Sequence, residues 1–389
     1  MKDKIRNIEK AALRIKEAVL KEEQIFIYGD SDMDGVTSVV ILEEAINNLA
    51  SLNRKKIPKI VVAFPDRNNE GYGLNKKALT FLNKKKGNKK VLLITLDCGI
   101  TNVSEVKEAN KMGFEVMIVD HHKVLEEIPE AKIIVDPKHP LDKSYFKEYA
   151  NAGLTFKLVE ELLEDKMSSY LKSDFIELVM LATIADMMVE EEENQKWIYE
   201  GLANLENTQR PAILACVKVL DPVSSKRELV GKIISIFNTI KMEDHKIITY
   251  DFIKSNNSEK AEDIARELLM DSEERQAEIR ALTENLKEEL KSSQLNIVFE
   301  GSKNYRPDYL GAVASRLVGY FNKPVFIYSQ KKNLSRGTVR VPKGIDAVKA
   351  MSSCKDILVV YGGHAPAAGF TIKNDKLEEF KERLIKYFK

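Results

Sequence analysis

Three short apolar runs in the first third of the chain each end on an acidic residue. Gln24–Gly29 (QIFIYG) runs into Asp30, the run ending at Leu96 (KVLLITL) into Asp97, and Phe114–Val119 (FEVMIV) into Asp120. Each run is too short for a buried helix and rich enough in β-branched and aromatic residues for a buried strand. Helical patterns lie between them, over about 37–49 and 101–112, and further strands are expected at 59–63 and 132–135. Strands alternating with helices build a parallel sheet with helices on both faces. In such sheets the loops at the carboxyl ends of the strands carry the chemistry. The spacing therefore predicts an α/β fold whose acids gather along one sheet edge.

The remainder reads as follows. Residues 175–220 are helical in pattern, and 221–257 read as irregular. Residues 258–291 form a long amphipathic stretch rich in Glu, Lys, Arg and Ala, suited to connecting domains. A smaller mixed α/β domain begins near Gln294, with strands in LNIVFE, PVFIYS, near 337–341, DILVVYG and AAGFTI, and helices over 310–320, 346–351 and 375–387. The expected organisation is a parallel-sheet domain over 1–220, a helical connector over 221–293 and the smaller domain over 294–389. No stretch of eighteen apolar residues suggests a membrane span, and the start of the chain, with Lys, Glu and Asp at helical spacing, lacks the apolar centre of a secretory signal. A cytoplasmic location is expected. Cys98, Cys216 and Cys354 are too dispersed for a zinc knuckle or a disulfide framework.

Formal net charge is +1, but its distribution is uneven. Residues 51–90 carry twelve Lys or Arg against two acids, and residues 301–350 carry ten against two. Such clusters suit a polyanionic partner. The run Lys84–Lys86 by itself reads as solvated surface.

The first acidic segment, Tyr28-Gly29-Asp30-Ser31-Asp32-Met33-Asp34-Gly35, places three carboxylates at alternate positions directly after a strand. Like charges so close repel unless a cation lies among them. One Asp could cap a helix, but a cap needs one and not three. An EF-hand is excluded, because position 41 is Ile where the loop requires Glu and because a strand precedes the segment. Val119-Asp120-His121-His122 adds imidazoles at another strand end, and Asp186 ends an apolar helical stretch. Oxygen ligands with one imidazole suit Mn²⁺ or Mg²⁺ better than zinc, and a pair of such ions is the usual device for phosphodiester hydrolysis. Asp97 is the candidate to bridge them.

The strings GDSDMDGVTS, LDCGI, VDHH and TIADMM resemble, in order, the four motifs of the DHH phosphoesterases, and the first is similar to the RecJ-like form. Glu70-Gly71-Tyr72-Gly73-Leu74, Asp136-Pro137 and Ala152-Gly153 extend that resemblance, and Tyr361-Gly362-Gly363-His364 is similar to the signature of the DHH-associated domain. The resemblance implies that Asp30, Asp32, Asp34, Asp97, His121 and Asp186 hold two Mn²⁺ or Mg²⁺ ions. It implies that Asp97, His121 and His122 are catalytic, with His122 near the scissile phosphate. Gly362, Gly363 and His364 would bind substrate phosphate. The family's Ser-x-Arg element fits two registers, with Arg336 preferred and Arg340 the alternative. Of an Asn-Ala-x-Gly-Arg element expected near 231–242 only Asn238 survives. Bacterial RecJ enzymes carry an added oligonucleotide-binding fold for which these 389 residues leave no room, so the plan is closer to shorter archaeal RecJ-like proteins, some of which associate with the GINS complex of the replisome.

The expected function is a metal-dependent exonuclease on single-stranded DNA, with RNA also open, that releases mononucleotides by two-metal in-line hydrolysis. The alternatives are a scaffold partner of GINS with little catalysis, an enzyme on short oligoribonucleotides or small nucleotides, and a pyrophosphatase of the same superfamily. No membrane partner is expected.

Overall fold

The computed structural model describes residues 4–67, 70–87, 90–125, 127–239 and 241–389. The chain divides into two compact units, Met1–Ser272 and Glu273–Lys389.

The first unit opens with α1 (Ile8–Leu20), β1 (Gln24–Gly29), α2 (Met33–Leu52), β2 (Ile60–Ala63), α3 (Lys76–Lys86), β3 (Val91–Leu96), α4 (Val103–Lys111), β4 (Phe114–Val119) and β5 (Ile133–Val135). The five strands pair in the order β2-β1-β3-β4-β5, and every pairing is parallel. After β2 the chain returns across β1 to start β3, so the winding direction switches between β1 and β3. A crevice opens at the carboxyl ends of the two strands flanking such a switch, and here those ends lead into Asp30 and Asp97.

Alternation along the central strands shows why both faces are covered. Ile25 and Ile27 of β1, Leu92 and Ile94 of β3, and Met117 and Val119 of β4 pack into one core with α1 and α2. Phe26, Tyr28, Leu93, Val116 and Ile118 point the other way, into a second core against α3 and α4. Fully burying one such side chain contributes roughly 1.5–3 kcal/mol, so a one-residue slip in register would invert both cores at once.

Helices α5 (Asn151–Leu163), α6 (Ser169–Ala185), α7 (Glu192–Asn204) and α8 (Pro211–Val219) extend the first core. The region expected to be irregular, 221–257, contains α9 (Lys226–Phe237), a two-stranded hairpin of β6 (Met242–Glu243) and β7 (Lys246–Ile247), and α10 (Ile248–Ile253). Val230, Ile233, Ile236 and Phe237 of α9 and Phe252 of α10 are buried in that same core. Helix α11 (Ser258–Leu290) spans the boundary between the units: Ala261, Ala265 and Leu268 join the first core, and Ile279 and Leu286 join a core of the second unit. The connector expected over 221–293 is thus divided between the two units, because its first fifty residues carry apolar stripes that the first core absorbs.

The second unit contains β8 (Val298–Ser302), α12 (Leu310–Phe321), β9 (Val325–Gln330), β10 (Leu334–Arg340), α13 (Ala347–Ser352), β11 (Leu358–Gly363), β12 (Ala367–Lys373) and α14 (Leu377–Tyr387). Its sheet has the order β11-β12-β10-β9-β8, antiparallel except for the β8–β9 pair. Among the described residues no helix is long and apolar enough to cross a membrane.

Candidate metal centre

The segment after β1 folds tightly onto itself. Asp32 is the N-cap of α2, its Oδ1 accepting from Gly35 N at 3.1 Å. A Cβ at position 35 would stand 2.3 Å from the Asp30 carbonyl oxygen, so only glycine lets the helix start fold back over Asp30. Asp34 lies in the first turn, and both its oxygens are held: Oδ2 accepts from Asn151 N at 2.6 Å and Oδ1 from Ala152 N at 2.7 Å. Asp34 thereby caps the N-terminus of α5, where backbone N–H groups and the helix dipole favour an anion.

After β3, Asp97 has a left-handed backbone (φ 61°), an uncommon conformation for a side-chain-bearing residue that costs on the order of 1–3 kcal/mol and is typical of functional sites. Its carboxyl group is buried. After β4, Asp120 is saturated by its neighbours. Oδ1 accepts from His121 N at 2.8 Å and His122 N at 3.1 Å and meets His122 Nδ1 at 2.8 Å, while Oδ2 accepts from Ile100 N at 3.0 Å. Asp120 thus ties the β3 and β4 loops together and orients His122.

The state of His121 follows from its partners. Its ring is buried, and Nδ1 lies 2.7 Å from the Tyr149 carbonyl oxygen, which can only accept. Nδ1 therefore carries the proton, and Nε2 presents a lone pair. That lone pair faces Asp97 Oδ1 at 3.0 Å, Asp34 Oδ2 at 3.6 Å and Asp186 Oδ2 at 3.8 Å. Protonating Nε2 as well would resolve the clash of lone pairs, but burial, with the charges of His122 and Lys138, pushes the imidazole down to about 3. In the metal-free chain a proton kept on the Asp97 carboxyl, which is itself raised, would bridge the pair, and a dication among these atoms would take that proton's place. Fixing a ligating imidazole through the hydrogen bond of its other nitrogen is the usual outer-shell device at metal sites.

The ligand atoms fall into groups that can each surround an ion: Asp30, Asp32 and Asp97; Asp34, His121 and Asp186; and Asp97, Asp120 and His122. Asp97 belongs to two of the three and lies against His121 of the remaining one, the position a bridging carboxylate would take. The electrostatics agree. Burial, together with the charges of Asp34, Asp32, Asp30 and Asp186, holds the Asp97 carboxyl well above the usual carboxylate range, and Asp34 is raised by burial and by Asp186 and Asp32. Both groups need positive charge nearby to ionise. His122 behaves oppositely: burial disfavours its cation, but the charge and hydrogen bond of Asp120 outweigh that and raise it to about 9.

Arg67, which the sequence did not single out, completes the cluster. Its Nε donates to Asp30 Oδ1 at 2.8 Å, and Nη2 lies 2.6 Å from Asp30 Oδ2 and 2.7 Å from Asp32 Oδ2. The guanidinium stacks on the ring of Tyr72, 4.6 Å from its centroid. Although burial opposes ionisation of Asp32, the Arg67 charge holds its carboxyl down at about 2. Asn238, the remnant of the expected Asn-Ala-x-Gly-Arg element, accepts from Met33 N at 3.2 Å and so steadies the start of α2.

The structure thus brings together Asp30, Asp32, Asp34, Asp97, His121, His122 and Asp186. The remaining candidates belong to the second unit. Gly362 and Gly363 end β11, and His364 opens a tight turn in which His364 N donates to Ala367 O at 2.8 Å. Gly363 has φ 133°, and a Cβ there would stand 2.5 Å from the Ala367 carbonyl oxygen. Arg336 and Arg340 are four residues apart on β10 and so project to one face, which leaves both registers of the Ser-x-Arg element compatible with that face. Arg340 Nη1 donates to Thr338 Oγ1 at 2.8 Å and to Val339 O at 3.0 Å.

Comparison with known proteins now fits this geometry. The family profile described as "DHH family, N-terminal domain" matches residues 24–183, and that of the "DHHA1 domain" matches residues 293–389. The single-stranded-DNA-specific exonuclease RecJ of Bacillus subtilis (strain 168) is 32% identical over 387 residues, 98% of this chain and 47% of that protein. A crystal structure of exonuclease RecJ bound to manganese aligns with a TM-score of 0.76 at 27% identity, covering 99% of this chain and 95% of that one. RecJ from Thermus thermophilus in complex with Mn²⁺ aligns with a TM-score of 0.81 at 25% identity, covering 100% of this chain and 55% of that one. The chain belongs to the DHH family of phosphoesterases. Within that family it is RecJ-like, and it spans about half the length of the curated relatives it matches (47% and 54% of the first two).

Proposed function

We propose that this chain carries the machinery of a divalent-metal-dependent exonuclease that hydrolyses phosphodiester bonds of single-stranded DNA. The observation that carries the reading is the convergence of His121 Nε2 on Asp97 Oδ1, 3.0 Å away, and on Asp34 and Asp186 in one cluster of carboxylates at the sheet edge. Asp30, Asp32 and Asp97 would hold one ion, Asp34, His121 and Asp186 the other, with Asp97 between them. Manganese-bound and magnesium-bound RecJ structures support the choice of Mn²⁺ or Mg²⁺. When bound, two such ions polarise a phosphate and lower the pKa of water that attacks it.

The protein's own groups would do the rest. Asp120 holds the His122 ring through Nδ1, which leaves Nε2 to donate to a phosphoryl oxygen as its charge grows in the transition state. The N-terminus of α5 keeps the Asp34 carboxylate fixed, and the Tyr149 carbonyl keeps the His121 lone pair aimed inward. In the second unit, backbone N–H groups near Gly362 and Gly363, the His364 ring and either Arg336 or Arg340 would bind substrate phosphate, the guanidinium through a bidentate contact. Release of mononucleotides is part of this proposal; GINS as a partner and activity on RNA are open extensions of it.

The test is digestion of an end-labelled single strand with Mn²⁺. Replacing Asp97 by Ala should reduce cleavage by at least about 10³-fold, on the order of losing a transition-state metal contact. Near-normal cleavage by Asp97→Ala would remove the metal assignment.

A further inference from the structure

The flank formed by α3 and the segment leading into β2 carries positive charge that the metal centre does not use. Residues 51–90 hold twelve basic residues and two acids, a surplus of ten in a chain whose formal net charge is +1, so the rest of the chain is negative by nine. Of the twelve, only Arg67 is committed to the metal centre. The two acids, Asp66 and Glu70, lie in the loop beside the site, and Glu70 Oε2 accepts from Asp66 N and Asn75 Nδ2.

Of the other described basic residues, Lys86 donates to the Met112 carbonyl and Lys90 pairs with Glu115, and eight stand out in solvent. Arg54, Lys55, Lys56 and Lys59 are exposed before β2, and Lys76, Lys77, Lys84 and Lys85 are exposed on α3. Among the described residues none of these eight forms an ion pair within 4 Å, whereas lysines elsewhere in the first unit, such as Lys157, Lys172, Lys241 and Lys254, do. The fold makes one surface of them. Helix α3 packs beside β2, the outermost strand of the sheet. Its N-cap, Asn75, donates to Tyr28 OH and Glu70 in the loop that also carries Arg67 and Tyr72. The helix therefore starts at the carboxyl edge, where the metal carboxylates lie, and runs back toward the amino edge. Lys84 and Lys85 therefore come at the same sheet edge as the 54–59 segment, whose Lys59 carbonyl accepts from Ile25 N at the start of β1. An α-helix rises 1.5 Å per residue, so these eleven residues cover about 16 Å, the reach of roughly two to three nucleotides of extended strand. Lys77, Thr80 and Lys84 share one stripe at i, i+3 and i+7.

We infer that the α3–β2 flank is a second nucleic-acid contact, an electrostatic track that holds the phosphate backbone of single-stranded DNA beyond the nucleotides at the metal centre. It rests on the function proposed above, and it separates exposed lysines that carry the strand from the buried groups that cut it. Contacts of this kind bind without regard to sequence and release counterions, with a slope of about −0.7 in log affinity against log salt per phosphate neutralised on a single strand.

The experiment is equilibrium binding of fluorescent oligodeoxynucleotides of 3 and 30 residues across a salt series, with Ca²⁺ replacing Mn²⁺ to prevent turnover. It compares the wild-type chain with a fourfold variant, Lys76→Gln, Lys77→Gln, Lys84→Gln and Lys85→Gln, and with the same four changed to Arg. The Gln variant should bind the 30-mer at least tenfold more weakly at 0.1 M salt, with a slope shallower by about 2–3, and bind the trimer as the wild type does. The Arg variant should bind the 30-mer like the wild type. Thermal melting of each variant checks that the fold is kept. Unchanged affinity and slope of the Gln variant for the 30-mer overturn the track, as does equal loss for the trimer. A flank that binds polyglutamate but contributes nothing to the 30-mer would be a site for an acidic protein, which also overturns it. A wild-type chain that binds neither oligonucleotide would instead refute the proposed function.

Discussion

Arg67 shows how a residue becomes important through company that sequence does not display. It lies 37 and 35 positions from Asp30 and Asp32, and its guanidinium lies across both carboxylates. Nothing in its sequence neighbours announces that role, whereas Asp30, Asp97 and Asp120 were legible because each directly follows an apolar strand. The same holds for the Tyr149 carbonyl and the Asn151 and Ala152 amides: backbone groups orient His121 and Asp34, and backbone groups leave no signature in side-chain pattern. Arg67 is the counter-ion that this carboxylate pair has without a metal. Changing it to Met should destabilise the metal-free chain by about 3 kcal/mol, since a nearly buried ion pair loses one partner. The same change should tighten binding of the first Mn²⁺, because no guanidinium then competes for Asp30 and Asp32. Urea unfolding in EDTA reads the first effect and calorimetric titration with Mn²⁺ the second. Weaker Mn²⁺ binding by Arg67→Met would mean that guanidinium and ion share the carboxylates rather than exchange.

At the scale of elements, the strands that carry the site were readable to within a residue, since continuous apolar runs bounded by Gly, Asp and Lys leave little choice. Helices α9 and α10 were not. Gly231 lies within α9 as a poor helix former, Asn238 ends it, and each helix is too short for its stripe to stand out until the first core accepts Val230, Ile233, Ile236 and Phe252. The order of the sheet was equally hidden, because crossing back over β1 to start β3 is decided by packing of α2 and α3 on opposite faces. Helix α6 makes a different point. It ends at Ala185, immediately before Asp186, yet at its middle it buries Glu177, whose Oε2 accepts from Thr208 Oγ1 at 2.6 Å. Burial, with the charge of Asp174, pushes that carboxyl up to about 7 from 4.5. A folded-state value above the unfolded one means the folded chain holds the proton longer. The associated stability is therefore complete below about pH 4.5 and is lost as pH rises through 7. Glu177→Gln keeps an oxygen for the Thr208 hydroxyl and cannot ionise. Relative to wild type it should gain about 1–2 kcal/mol between about pH 6 and pH 8, measured by urea unfolding at the two values. The other titrating groups are common to both proteins and cancel in the difference, so an equal difference at both pH values would show that Glu177 does not titrate there.

For the whole molecule, the two compact units meet within one helix. Ala261, Ala265 and Leu268 of α11 belong to the first core, and Ile279 and Leu286 to the second unit, with the division at Ser272. All the proposed metal ligands lie in the first unit, on loops that a cation would draw together, while the second unit offers Gly362, Gly363, His364 and the β10 arginines. A ligand that binds only the folded form of one unit stabilises that unit by mass action, about 2.7 kcal/mol at a hundredfold excess over Kd. Scanning calorimetry of the intact chain in EDTA and in Mn²⁺ can therefore separate the two. If α11 frays near Ser272 when either core melts, two transitions appear, and Mn²⁺ moves only one of them, the one whose response to metal Asp97→Ala abolishes. If α11 instead transmits order from one core to the other, a single transition moves as a whole, and its enthalpy matches the full chain. The apolar spacing of α11 favours the first outcome: between Leu268 and Ile279 the buried residue of the helix is Ser272, and no large buried apolar side chain anchors that stretch. Movement of both transitions by Mn²⁺ in the wild type would contradict that picture and require metal ligands or coupling outside the first unit.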